Sequence, residues 1–172
     1  MTNQIIIIGF MGTGKTTVAL ELARKLNCRA IDLDDLITQR EKRSPKEIIQ
    51  QDGEAAFRSI ETQMLREALM ASARVVAVGG GAWTMAENRK LIAAHGALSV
   101  WLDAPFELCW KRIEAGCEAR PLARSQEMAR KLYARRRAVY ESADARVSVK
   151  ENESIEELAK KVASAVSAIE GE

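Results

Sequence analysis

Cysteine, histidine and aromatic side chains are scarce in this chain of 172 residues, and each scarcity removes a class of function. Three cysteines (Cys28, Cys109, Cys117) and one histidine (His95) stand at no zinc-ligand spacing, and an odd cysteine count builds no disulfide framework. Reduced thiols in a cytoplasmic protein are the expectation. Aromatic residues make up 5% of the chain and do not interleave with its basic residues, and the net charge is only +2. That composition argues against a nucleic-acid binder and against a membrane-surface protein. No apolar run approaches the ~20 residues that a bilayer span requires. The N-terminus enters a strand-like run directly, with no basic n-region or cleavage site. The expectation is one cytoplasmic domain, residues 1–172, long enough to bury a core.

What is present begins with Gly9-Phe10-Met11-Gly12-Thr13-Gly14-Lys15-Thr16, which fits the P-loop spacing G-x-x-x-x-G-K-[ST]. Gln4–Ile8 before it reads as a strand buried on both faces, and Thr17–Leu26 after it as a helix. Strand, glycine turn and helix N-terminus together aim backbone N–H groups at one point, where a polyphosphate binds. Lys15 is expected to extend toward the β- and γ-phosphates, and the Thr16 hydroxyl toward Mg²⁺.

Further along, apolar runs alternate with amphipathic helices, the signature of a parallel sheet covered on both faces. Strands are expected at Cys28–Ile31, Arg74–Val78, Leu98–Leu102 and Arg146–Val149. Ser44-Pro45-Lys46-Glu47 combines an N-cap, a first-turn proline and a capping-box glutamate, opening a helix that stops at Asp52-Gly53. From Glu54 to Met70, Phe57, Ile60, Met64, Leu65 and Leu69 form one inward stripe. A helix over Ala86–Ala94 ends at His95-Gly96, which makes His95 a helix-end surface residue. Pro105 starts another helix, Glu114–Leu122 reads as a loop, and Glu127–Ser142 as a charged helix. A capping box from Ser154 to Glu157 opens the last helix, with Ile155, Leu158, Val162, Val166 and Ile169 on its inner side.

Several features could carry chemistry beside the P-loop. Asp32 and Asp34, two apart in extended chain, would share a face at the carboxyl end of the second strand while Asp35 points elsewhere. There they could hold metal-bound water and accept a proton from a hydroxyl, or Asp32 could simply cap a helix. Gly79-Gly80-Gly81 at the end of the third strand favours a platform for something bound over a plain loop. Arg58 is either a solvated charge paired with Glu61 or a ligand contact. Arg120 sits before Pro121 where an arginine could swing over phosphates. Of Arg135, Arg136 and Arg137, helix geometry leaves two on a solvated face.

Taken in order, the P-loop, Asp32-x-Asp34, Gly53-Glu54-x-x-Phe57-Arg58-x-x-Glu61, Gly79-Gly80-Gly81, Arg120-Pro121-Leu122 and Arg136-x-x-x-Tyr140 resemble shikimate kinase. The likeness spans Ile5 to Val149. It implies an α/β fold, three-layer α/β/α with a five-stranded parallel sheet, of the P-loop and nucleoside-monophosphate-kinase type. It also implies a substrate-binding segment near residues 33–61 and a lid near residues 113–124. The implied activity is ATP-dependent phosphorylation of the shikimate 3-hydroxyl on the route to chorismate and aromatic amino acids. The alternative is a P-loop kinase for another small polyol such as gluconate. The resemblance assigns ATP to Gly12, Thr13, Gly14, Lys15, Thr16 and Thr17, with Arg112 and Arg120. Thr16 would hold Mg²⁺, with Asp32 behind it. It makes Lys15, Asp34 (the base) and Arg120 catalytic, and gives shikimate to Asp34, Phe57, Arg58, Gly79, Gly80, Gly81 and Arg136. Ala77 and Thr38 stand where the family often has a serine and a glutamate. A monomer with no nucleic-acid or membrane partner is expected.

Overall fold

The computed structural model of the chain describes residues 3–116 and 125–171. The strand run that precedes the P-loop is β1 (Ile5–Ile8), and all four of its isoleucines are buried. Consecutive buried residues on a strand mean that both faces are covered, because neighbouring side chains point in opposite directions. β1 is accordingly central. The sheet order is β2 (Ala30–Asp32), β3 (Val75–Ala77), β1, β4 (Leu98–Asp103), β5 (Ala145–Ser148), every pair parallel. Ile5 stands in register with Val75 on one side and Leu98 on the other. The chain runs from β1 to one half of the sheet and later crosses to the other half. The crevice for a ligand therefore opens beyond the carboxyl end of β1.

The helices are α1 (Lys15–Lys25), α2 (Leu33–Glu41), α3 (Pro45–Asp52), α4 (Glu54–Met70), α5 (Ala86–Ala94), α6 (Phe106–Ala115), α7 (Gln126–Tyr140) and α8 (Ile155–Glu170), with a 3-10 turn at Ala82–Thr84. α1 and α8 pack on each other, α5 packs on β4, and α4 and α7 both reach the 3-10 turn. Both capping boxes read from the sequence form, at Ser44 with Glu47 and at Ser154 with Glu157. α4 buries Phe57, Met64, Leu65 and Leu69 as its pattern requires. Ile155, expected inside, is exposed, because it is the first residue of α8 and lies beyond the turn that meets the sheet. His95 is exposed, its Nδ1 2.9 Å from Leu91 O at the end of α5.

One local expectation fails and matters for the site. Asp32-Leu33-Asp34 is not extended through Asp34. β2 ends at Asp32, whose Oδ1 accepts the Asp34 N–H at 2.9 Å, and α2 begins at Leu33. The N-cap bond wins over strand continuation, since it satisfies a helix donor that would otherwise be orphaned. α1 likewise starts two residues earlier than read, at Lys15, which puts Lys15 and Thr16 in its first turn.

Leu65 is wholly buried on α4, the helix that also carries Arg58 and Glu61. Leu65→Ala is expected to lower unfolding free energy by about 2–5 kcal/mol, read from the urea midpoint at unchanged m-value.

Candidate active site

The P-loop closes over α1 with Gly14 as N-cap in the left-handed region, φ 91°. Gly12 is also left-handed, φ 81°, and a Cβ there would sit 2.7 Å from the Cys109 carbonyl oxygen. Only glycine lets the loop pass that close to α6. Thr13 is buried and donates its hydroxyl to Phe10 O at 2.8 Å, stiffening the loop from within. The Lys15 side chain does not extend outward: Nζ folds back to donate to Phe10 O at 2.9 Å. Arg112 crosses from α6 to donate to Gly12 O at 3.1 Å, and Thr16 and Thr17 are exposed on the cleft side. Cys109, packed beneath the loop, has its thiol pushed up to about 11 by burial and is no nucleophile at neutral pH.

Asp32 serves two partners at once. Its Oδ1 caps α2, and its Oδ2 accepts the Thr16 hydroxyl at 2.5 Å. The capping reading and the metal-site reading of this residue are therefore both satisfied by one carboxylate. A hydroxyl and a carboxylate are hard oxygen donors. Among the described residues no group of three or more His, Cys, Asp or Glu could hold an ion by itself. That donor set fits Mg²⁺, which keeps most of its waters and binds through one or two protein oxygens plus phosphates.

Two adjoining cavities flank Asp34. The smaller, about 230 Å³, is lined by Gly12, Gly14, Lys15, Thr16, Asp32 and Asp34. The larger, about 710 Å³, is lined by Asp34, Phe57, Arg58, Glu61, Arg136 and the glycine turn, with Pro45 and Ile49 of α3 opposite. Asp34, Gly79 and Gly80 line both. Asp34 is half-buried in the first turn of α2, while Asp35 is exposed on the rim of the larger cavity. The difference comes from helical rotation, not strand alternation. Thr38, one turn on, donates its hydroxyl to Asp34 O at 2.8 Å.

The two arginines of the larger cavity are held in opposite ways. Arg58 pairs with Glu61 at 2.7 Å and with Glu54 at 3.1 Å. Burial opposes its charge, but those carboxylates outweigh it and hold its pKa above the ordinary value. Glu61 is 0% exposed, and burial pushes its carboxyl up against the pull of Arg58. Among the described residues Glu61 Oε1 finds no hydrogen-bond partner, and a Cβ on Gly79 would lie 2.8 Å from it. Arg136 is 6% exposed and, among the described residues, forms no ion pair; burial lowers its pKa. A Cβ on Gly80 would stand 3.0 Å from Arg136 Nη1, and one on Gly81 would overlap the Arg58 guanidinium. Gly80 and Gly81 are thus small because two arginines press on them, and Gly79 because Glu61 does.

Of the arginine run, Arg135 alone is solvated. Arg137, expected on a solvated face, is half-buried and paired with Asp103, so the expectation of two solvated arginines is corrected. Glu61 was legible only as a possible partner of Arg58 three residues away. α3 lies within the substrate-binding segment near residues 33–61 that the resemblance implied, though no spacing marked it as a cavity wall. Cys117, Arg120, Pro121 and Leu122, and with them residues 117–124 of the expected lid, lie outside the described residues. No helix among the described residues is long and apolar enough to cross a membrane.

A family model described as shikimate kinase matches residues 11–167. A shikimate kinase of Nostoc sp. (strain PCC 7120) is 36% identical over 169 residues, 96% of this chain and 92% of that one. The solved structure of shikimate kinase from Acinetobacter baumannii in complex with shikimate superposes with a TM-score of 0.92 at 30% identity, over 100% of this chain and 97% of that one. A gluconokinase from Sinorhizobium meliloti reaches a TM-score of 0.68 at 17% identity over 98% of this chain and 93% of that one, a likeness of fold alone. With its P-loop, its five-stranded parallel sheet and a match along most of its length, the chain belongs to the shikimate kinase family of P-loop kinases.

Proposed function

We infer that this chain transfers the γ-phosphoryl group of ATP to the 3-hydroxyl of shikimate. The observation that carries the reading is Arg136, a buried guanidinium that forms no ion pair among the described residues, on the wall of a cavity beside the P-loop. Such a charge calls for an anionic ligand. The shikimate carboxylate supplies it, gripped by Arg136 and by Arg58, with Phe57 behind. Planar, always-charged donors suit that task. Gluconate also carries a carboxylate, so the clamp alone does not separate the two acceptors; family membership does.

In this reading the smaller cavity holds the phosphates. Gly12 to Thr17 embrace them, and Lys15 leaves Phe10 O to neutralise charge on the transferring group. Mg²⁺, held through Thr16 with Asp32 behind it, would supply further charge neutralisation there. Arg112, already lying over the loop, and Arg120 complete the phosphate contacts. Asp34 faces both cavities, which supports its role as the base that takes the hydroxyl proton and orients the acceptor oxygen. The backbone of Gly79, Gly80 and Gly81 meets the acceptor. The reading extends to a single domain acting as a monomer in the cytoplasm. One apolar core running through all five strands supports the first point, and the scatter of the exposed Leu20, Met70, Met128 and Ile155 supports the second.

A coupled assay for ADP release tests the acceptor. Shikimate should raise the rate at least about a hundredfold over background, as a positioned general base requires, while gluconate leaves it unchanged; stimulation by gluconate alone would reverse the assignment. Lys15→Ala should lower kcat by about three orders of magnitude with Tm within a few degrees of the parent. Asp34→Asn should cost about 10²–10⁴ in kcat, because the amide takes no proton, whereas Asp35→Asn stays within a few-fold. Equal losses in the two asparagine variants would remove Asp34 as base.

A further inference from the structure

Three consecutive glycines are the most pliable wall a cavity can have, yet each of their carbonyls is held. Gly79 O accepts from Ala82 N–H at 3.0 Å. Gly81 O accepts from Thr84 N–H at 3.1 Å and from the Thr84 hydroxyl at 2.6 Å. Both restraints are local to the 3-10 turn. The middle carbonyl, Gly80 O, accepts instead from the Tyr140 hydroxyl, which comes from α7. All peptides here are trans, and a trans peptide is planar with its N–H opposed to its C=O. Holding Gly79 O and Gly80 O therefore also fixes the N–H groups of Gly80 and Gly81. Among the described residues those N–H groups donate to no protein acceptor.

Tyr140 is well built for such a tether. It is 2% exposed, so its ring is fixed by packing. Its ring lies 6.0 Å from Trp101, and burial raises its pKa, so the hydroxyl remains a donor. It stands one helical turn after Arg136 and hence on the same face of α7. A Cβ on Gly80 would come within 3.0 Å of Arg136 Nη1 and 3.4 Å of the Tyr140 hydroxyl, so both side chains converge on one residue.

We propose that Tyr140 is a positioning residue for the acceptor: its hydroxyl holds the Gly80–Gly81 peptide so that two backbone N–H groups meet the acceptor's oxygens in register with Arg136. The proposal rests on the acceptor reading given above. Without the hydroxyl, the Gly80–Gly81 peptide loses its hydrogen bond to α7 and is held less firmly in one orientation. Acceptor binding then weakens, while the P-loop and Asp34, which Tyr140 does not touch, still turn over whatever is bound.

The test compares Tyr140→Phe with Tyr133→Phe. Tyr133 is on the same helix and donates its hydroxyl to Ala104 O at 2.8 Å, away from the cavity. Steady-state kinetics for both substrates, calorimetric shikimate Kd without nucleotide, and Tm are measured on all three proteins. Tyr140→Phe should raise shikimate KM and Kd about tenfold, the worth of one hydrogen bond, with kcat within about threefold and ATP KM unchanged. Tyr133→Phe should leave shikimate KM within about twofold, below the worth of such a bond. On the parent alone, adding shikimate should shift the Gly80 and Gly81 amide resonances downfield. An unaltered shikimate KM in Tyr140→Phe, a loss confined to kcat, an equal effect of Tyr133→Phe, or unmoved glycine amides would each overturn the proposal. A parent that does not phosphorylate shikimate would instead refute the acceptor reading, and this inference with it.

Discussion

Burying an arginine outside an ion pair is costly, and the acceptor cavity is arranged around one, Arg136, that forms no ion pair among the described residues. Arg136 stays in place because the neighbouring part of α7 is fastened to the 3-10 turn and to β4. Trp83 Nε1 binds Val139 O at 3.2 Å, and Arg137 is paired with Asp103. Asp103 also receives Arg146, and both guanidiniums lie over the Trp101 ring, 5.1 and 5.0 Å from its centroid. Arg136 and Arg137 are neighbours in sequence with opposite circumstances. One is neutralised to anchor the helix, and the other keeps its charge facing a cavity. The packing that stabilises α7 thereby holds an interaction that the protein alone leaves incomplete.

The same economy governs the junction of the two cavities. Met11, Asp34, Gly79 and Gly80 are wall to both, so a phosphate donor on one side and an acceptor hydroxyl on the other meet across a wall that carries a single carboxylate and two residues without side chains. Asp32 ties the junction together by capping α2, which carries Asp34, and by accepting from Thr16 in the first turn of α1. A change at Asp32 would therefore disturb the base and the metal-binding hydroxyl together. Holding reactants in line by such shared elements is a main source of rate in phosphoryl transfer, where little covalent chemistry falls to the protein.

Local features were readable from the residues. The P-loop, the two capping boxes, the buried isoleucines of β1 and the stripe on α4 follow from spacing and residue type, and all stand in the structure. The failures arise where two local rules compete or where partners lie far apart. At Asp32 the alternation of an extended chain and the capping preference of aspartate point to different structures, and spacing cannot rank them. Arg137 looked solvated because its partner, Asp103, lies at the end of β4, far from α7 in sequence. The bond from Tyr140 to Gly80 O joins α7 to the glycine turn, and no periodicity encodes it. Glu61 lay between these cases: its spacing from Arg58 was visible, but its complete burial was not.

The central claim is that the buried charge of Arg136 exists to bind a carboxylate. The most direct measurement is kcat/KM for shikimate and for shikimate methyl ester, which keeps the acceptor hydroxyl but carries no charge. It is made on the parent and on Arg136→Lys. One charge-assisted bond is worth about 1.5–3 kcal/mol, so the parent should prefer the acid by about 10–200-fold. Arg136→Lys, lacking a planar two-pronged donor, should lose most of that preference while using the ester nearly as well as the parent does. Equal use of acid and ester by the parent would contradict the account.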